Sequence, residues 1–143
     1  MGIIRRINEA GIPVLGHVGL TPQSVHVLGG YGVRGKEDRQ AVIDDALAVE
    51  EAGAFAVVLE KMPENLASEI TEKLAIPTIG IGAGPGCDGQ ILVTADMLGL
   101  FQEYKPAFVR RYAELADGAM NGINKYIDDV RAGTFPGEME SYK

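Results

Sequence analysis

Residues 75–90 read AIPTIGIGAGPGCDGQ, and the interpretation of the whole chain starts from this stretch. Its threonine and isoleucines carry β-branched side chains, which favour a short buried strand, and a glycine-rich loop follows. Gly80 and Gly82 remove the side chains from one face of that strand. Glycines inside a strand usually mark the close approach of a ligand or of another part of the backbone. A sheet layer too crowded for side chains is the other interpretation, and the stretch by itself leaves both open.

Three further strands are predicted on either side of this one. Compact apolar runs at 14–18 and 54–59 predict two strands, and residues 90–93 predict a short fourth strand. Apolar residues at helical spacing, closed by glycine or opened by proline, predict the helices. These lie before Gly11 and at about 38–52, 63–74, 106–116 and 119–131.

The joins between helices and strands repeat along the first half of the chain, at residues 9–13, 51–54 and 73–77. Repeated joins of this kind predict parallel strands connected by right-handed crossovers. The strands are continuously apolar, as expected when helices cover both faces of a parallel sheet. A (β/α)8 barrel needs eight strands and typically about 250 residues. With about four strands, the chain is predicted to be an α/β protein, either a small open sheet or part of a barrel.

The composition narrows the class of protein. A chain of 143 residues with 46% hydrophobic residues is long enough for one globular domain with a sizeable core. The net charge of −7 argues against general binding to nucleic acid or to an anionic membrane. Cys87 is the only cysteine, so no intrachain disulfide can form, and a cytoplasmic location is expected. No apolar run approaches the roughly 20 residues of a membrane span.

Two nucleotide-binding motifs are nearly present and fail on inspection. Residues 30–37 resemble a P-loop, but Glu37 stands where the magnesium-binding serine or threonine belongs, and no strand directly precedes the motif. The glycines after residue 81 do not match a dinucleotide fingerprint, because its third glycine position falls on Cys87. The loop from Gly19 to Asp38 is nevertheless long for a compact domain, and loops of that length are usually functional.

Glu60 is the strongest candidate for a catalytic residue. It comes directly after six apolar residues, at the end of a predicted parallel strand. This is where α/β proteins place their chemistry, and a carboxylate drawn toward a low-dielectric site suits a general base. The alternative is a carboxylate that pairs with Lys61 or with solvent. His17 also ends a predicted strand, between two glycines that leave room for its ring to face a cleft, and a satisfied core histidine is its alternative.

Other polar residues receive structural interpretations. The carboxylates Asp88 and Asp96 are interpreted as loop caps in preference to ligands. Glu50, on a predicted helix, is interpreted as part of a solvated face. The two histidines and one cysteine form no cluster with metal-ligand spacing.

Several strings of the sequence closely resemble ketopantoate hydroxymethyltransferase, and together they span almost the whole chain. They include HVGLTPQS at 17–24, GGY at 29–31, VLE at 58–60, IGIGAG at 79–84, DGQILV at 88–93, LGLF at 98–101 and FP at 135–136. The resemblance implies a (β/α)8 TIM-type barrel, of which residues 1–143 form a single domain: the C-terminal half, with approximately strands five to eight and the closing helices.

The resemblance also implies a reaction. In this family a Mg²⁺-chelated 2-oxoacid, 3-methyl-2-oxobutanoate, loses its C3 proton, and the enolate attacks the one-carbon unit of 5,10-methylenetetrahydrofolate. The product is 2-dehydropantoate, in pantothenate biosynthesis. Glu60 matches the family's proton acceptor, and His17 matches a histidine near the substrate.

The sequence departs from the family in one large respect. The family's metal-binding carboxylates, and the lysine and serine that hold the substrate, lie in the first four strands and have no counterpart here. We therefore expect no metal ligands in this chain, no folate-binding residues that can be named, and no activity of the chain alone. Its expected partners are the small-molecule 2-oxoacid and the missing N-terminal half or further copies of itself. The alternative function is a non-catalytic half-barrel that acts as an interaction or scaffold protein.

Overall fold

The computed structural model describes residues 2–26, 30 and 32–143, in two compact units, Met1–Ile91 and Leu92–Lys143. The first unit contains the sheet. Its elements are α1 (Gly2–Glu9), β1 (Leu15–Gly19), a 3₁₀ turn (Pro22–Ser24), α2 (Arg39–Glu51), β2 (Ala56–Glu60), α3 (Glu64–Lys73), β3 (Thr78–Ile81) and β4 (Gly89–Gln90). The second unit contains the short helix α4 (Thr94–Met97) and the long helix α5 (Leu115–Ala132). The single domain over 1–143 stays a prediction.

The four strands form one sheet in the order β1-β2-β3-β4, and every neighbouring pair is parallel. This confirms the predicted α/β class. The strand order follows the chain without a reversal, whereas an open doubly wound sheet has a switch point where the order reverses. A consecutive parallel order with crossover helices is that of one arc of a (β/α)8 barrel, and the sheet is compatible with such a partial barrel.

The core lies between the sheet and the helices α2 and α3. Val57 and Leu59 of the central strand β2 are completely buried, and they pack in one cluster with Val42 of α2 and Leu66 of α3. The residues that alternate with them, Ala56 and Val58, are also buried. The continuous apolar run at 54–59 therefore has the physical origin predicted for it, a central parallel strand buried on both faces.

Gly80 is close to another part of its own chain. A side chain at residue 80 would place its first carbon 3.0 Å from the Cys87 sulfur and 3.0 Å from a Gln90 side-chain nitrogen. Of the two interpretations that the sequence leaves open, the crowded layer is therefore the one that applies to Gly80. Gly16 of β1 serves helix packing in the same way, because an added carbon would lie 2.2 Å from a Val49 methyl of α2.

Two predicted elements are wrong in the second half of the chain. Residues 91–93 do not continue β4, and residues 106–114 form a single turn at 107–108 and otherwise irregular backbone instead of a helix. That segment is held by backbone hydrogen bonds to α4 and its end, from Tyr112 N–H to the Met97 carbonyl at 2.8 Å and from Leu115 N–H to the Leu98 carbonyl at 3.0 Å. These bonds compete with helix formation, while α5 begins at Leu115, earlier than predicted. No helix in the described part of the chain is long and apolar enough to cross a bilayer.

The interpretation of Glu50 as part of a solvated face is incomplete, because the carboxylate is only partly exposed and also binds backbone. Its Oε1 accepts hydrogen bonds from the backbone N–H groups of Ala75 at 2.7 Å and Ile76 at 3.1 Å. Glu50 therefore ties the end of α2 to the join between α3 and β3. Only the folded chain brings residue 50 next to residue 75, so the pattern along α2 could not indicate this contact.

Asp88 closes the glycine loop onto the start of β3. Its Oδ2 accepts the backbone N–H of Thr78 at 2.8 Å and the Thr78 hydroxyl at 3.0 Å, and the Asp88 N–H donates to that hydroxyl oxygen at 3.2 Å. Thr78 is completely buried and its hydroxyl also pairs with that of Thr71. Asp88 thus has the loop-closing role predicted for it, and the bonds from Thr78 lower the pKa of the carboxyl.

The lowered pKa of Asp88 predicts a pH-dependent stability. Because the pKa is lower in the folded chain than in the unfolded one, the carboxylate stabilises the fold above the unfolded pKa of about 4. That contribution is lost as the pH falls through the folded pKa. Asp88→Asn should therefore be less stable than the wild type at pH 7, and the difference should shrink toward pH 3. Urea denaturation of both proteins across this range measures it, and a difference independent of pH would contradict the assignment.

Candidate active site

The candidate site lies where β1 and β2 end side by side. The two strands pair in parallel with His17 opposite Val58 and Gly19 opposite Glu60. Residues paired across a sheet share a face, and so do residues two apart along one strand. His17 and Glu60 therefore project from the same face, and the His17 Nε2 lies 2.8 Å from the Glu60 Oε2. The structure brings together the two residues that the sequence singled out.

The alternation of β1 and β2 decides which face these side chains occupy. Val18, Val57 and Leu59 belong to the core cluster with α2 and α3, so they face the helices. His17 and Glu60 stand at alternate positions and project from the opposite face. The His17 side chain is 32% exposed and that of Glu60 is 18% exposed, so both remain reachable from outside.

Gly19 allows β1 to end directly against Glu60. It has a φ of +99°, and an added side-chain carbon would lie 2.2 Å from the Glu60 carbonyl oxygen. The next residue, Leu20, donates its N–H to that same oxygen at 3.0 Å. No residue except glycine fits here, because both the backbone conformation and the approach of the two strands exclude a side chain.

Residues 32–38, which we call the Arg34 loop, lie next to the end of β2. The Asp38 carboxylate accepts the backbone N–H of Gly35 at 2.7 Å and forms an ion pair with Arg34. Asp38 occupies the position before α2, but its side chain makes no capping bond to the helix and closes this loop instead. Gly35 has a φ of +82° and packs tightly on Leu66 of α3. A side-chain carbon added at residue 35 would lie 2.0 Å from the Leu66 Cδ2.

This geometry suits proton transfer at carbon. A carboxylate at the C-terminal end of a parallel strand stands where substrates of such folds bind, and a histidine within hydrogen-bonding distance holds one of its oxygens in a defined direction. The sequence is also matched, over residues 1–138, by the family model of ketopantoate hydroxymethyltransferase. The chain belongs to the ketopantoate hydroxymethyltransferase family.

Curated relatives carry the name 3-methyl-2-oxobutanoate hydroxymethyltransferase. The chain is 57% identical over 141 residues to the protein of Prosthecochloris aestuarii, and the aligned region covers 97% of this chain and 51% of the relative. It is 55% identical to that of Pelobacter propionicus, over 98% of this chain and 52% of the relative. For the protein of Trichlorobacter lovleyi the identity is 58%, with 98% and 53% covered. The chain thus spans about half the length of the ketopantoate hydroxymethyltransferases it matches.

A metal site of the kind expected in ketopantoate hydroxymethyltransferases is not assembled by the described residues. Within residues 2–26, 30 and 32–143, no group of three or more His, Cys, Asp and Glu side chains could hold a metal ion. Mg²⁺ prefers several oxygen ligands in octahedral geometry. Glu60 offers one carboxylate and has an imidazole beside it, and Asp88 is engaged with Thr78. The donor groups among these residues do not fit Mg²⁺.

Sequence reasoning missed the residues that build the backbone around Glu60. Gly19 was available as a signal, since a glycine directly after an apolar strand often marks a close approach. The Arg34 loop lies within the long loop 19–38 that the sequence marked as functional, but its contact with Lys61 joins residues far apart in the chain and had no local signal. Positions 29 and 31, which contribute to the resemblance with the family, lie outside the described residues.

Proposed function

We propose that this chain is the half of a 3-methyl-2-oxobutanoate hydroxymethyltransferase that carries the catalytic base. The Glu60 carboxylate takes the proton from C3 of 3-methyl-2-oxobutanoate, and the electron pair of the C–H bond becomes that of an enolate. The enolate carbon then bonds to the methylene carbon of 5,10-methylenetetrahydrofolate as one of the two C–N bonds of that carbon breaks. A water oxygen displaces the second nitrogen, the two folate nitrogens take one proton each, from C3 of the substrate and from the water, and tetrahydrofolate leaves. The product is 2-dehydropantoate.

One observation carries this proposal: the 2.8 Å contact between His17 Nε2, in β1, and Glu60 Oε2, at the end of the parallel strand β2. His17 holds one carboxylate oxygen, and we assign the other oxygen to the substrate's proton. A general base must lie within hydrogen-bonding reach of the proton that it removes, and a fixed carboxylate meets that requirement better than a mobile one.

The remaining parts of the enzyme come from outside this chain in our proposal. The relatives are about twice as long as the region matched here. The other half would supply four strands, the groups that bind the 2-oxoacid, and the ligands of Mg²⁺. A cytoplasmic location fits a chain with a single cysteine.

Deuterium exchange at C3 of the substrate tests the proposal without requiring folate. The chain is incubated with 3-methyl-2-oxobutanoate in D₂O, alone and together with the separately produced N-terminal half of a relative. We expect C3 exchange, and hydroxymethyl transfer once 5,10-methylenetetrahydrofolate is added, only when both halves are present. Full activity of the isolated chain would contradict the proposal. A stable complex of the two halves without any exchange would instead favour the non-catalytic scaffold.

A further inference from the structure

The backbone that follows Glu60 is held from two other parts of the fold. The N–H of Lys61 donates to the carbonyl of Ile81, at the end of β3, at 2.9 Å. The Lys61 carbonyl accepts the N–H of Arg34 at 3.0 Å. Together with the bond from Leu20 to the Glu60 carbonyl, these hydrogen bonds restrain the two peptide groups on either side of Lys61.

Lys61 has an unusual backbone conformation for its residue type. Its φ is +50°, and no other non-glycine residue in the described part of the chain has a positive φ. L-residues avoid this left-handed region unless the surroundings impose it, and such residues cluster at functional sites. At Lys61 the conformation turns the chain directly after the carboxylate and brings the Lys61 carbonyl to Arg34.

The Arg34 loop is firm enough to impose that conformation. Asp38 closes it through the Gly35 N–H and the ion pair with Arg34, and Gly35 is packed against Leu66 of the buried core. A loop anchored at these points cannot follow a change at Lys61 without losing its own contacts. The loop and Lys61 therefore support each other.

We propose that Lys61, held in the left-handed conformation by the Arg34 loop, is a positioning residue for Glu60. It acts through its backbone: it stops β2 at the carboxylate and removes the freedom of the peptide that follows. Only the side-chain torsions of Glu60 then remain, and the contact with His17 restricts those. The inference deepens the proposed function and rests on Glu60 being the base.

Two substitutions separate the backbone role of Lys61 from any role of its side chain. Lys61→Asn and Lys61→Val both remove the ammonium group, but asparagine tolerates a positive φ and a β-branched valine does not. In the full chain we expect Lys61→Asn to keep the wild-type ¹⁵N resonances of the His17 ring and the protection of the Arg34 amide from hydrogen exchange. Lys61→Val should move the His17 resonances toward those of Glu60→Gln and speed Arg34 exchange by about tenfold.

Equal effects of the two substitutions would overturn the proposal, because the side chain and not the backbone would then matter. A loss of global stability with unchanged His17 resonances would also overturn it, since that is the result of a merely structural role. If Lys61→Val does not fold, Lys61→Ala provides a milder comparison with Lys61→Asn. The His17 resonances are measured without substrate, so they test the role of Lys61 independently of whether Glu60 is the base. If Lys61→Val displaced these resonances but left C3 exchange in the reconstituted enzyme unchanged, the positioning role would stand and the assignment of Glu60 as the base would fail.

Discussion

Replacing Glu60 by glutamine should lower kcat for hydroxymethyl transfer by about 10²–10⁴-fold in the enzyme reconstituted from this chain and an N-terminal half. Glutamine keeps the size of the side chain and can still contact His17, so the site should stay assembled. It cannot accept the proton from C3 of the substrate. The same substitution should suppress deuterium exchange at C3, which reports the proton-transfer step directly. Both rates are compared with those of the reconstituted wild type.

Glu51→Gln is the matched control for this experiment. Glu51 is an exposed carboxylate at the end of α2, so its replacement makes the same chemical change outside the site. We expect that variant to retain the wild-type rates. If Glu60→Gln retained C3 exchange within a few fold of the wild type, another group would be the base.

Gly19→Ala should cause the largest loss of stability among single methyl additions near the site. The φ of +99° costs an L-residue about 1–3 kcal/mol, and the overlap of the new carbon with the Glu60 carbonyl oxygen, 2.2 Å away, adds about 1–3 kcal/mol. The free energy of unfolding should therefore fall by about 2–6 kcal/mol. Urea denaturation measures this loss in the chain and in the reconstituted complex. Because β1 must move away from Glu60, C3 exchange should fall as well.

Gly11→Ala separates the two contributions. Gly11 has a similar φ of +81°, but an added carbon there would meet nothing within 4 Å. This control should show the conformational cost alone, without the steric overlap and without any effect on C3 exchange. Equal losses for the two substitutions would mean that the steric overlap with the Glu60 carbonyl adds nothing to the loss of unfolding free energy.

The sheet was predictable because its signals are local. A run of six apolar residues, a helix on either side and a glycine or proline at each join are sufficient to place β2 within two residues. Glu60 follows from the same signals, since it stands at the end of such a run. His17 was also predicted to end its strand, but it is the third of the five residues of β1. The segment 106–116 was mispredicted for the opposite reason: its apolar spacing favours a helix, but backbone bonds to Met97 and Leu98 hold its end in another conformation.

The sequence by itself determined the parallel strands, the place of Glu60 at a strand end and the family to which this half belongs, because each depends on neighbouring residues. Only the tertiary structure decided that Gly19 pairs with Glu60, that His17 Nε2 lies 2.8 Å from the carboxylate, and that Lys61 is left-handed. These features depend on contacts between residues that are 20 to 43 positions apart in the chain. Such contacts are set by the packing of whole helices against the sheet, and no local pattern records their outcome.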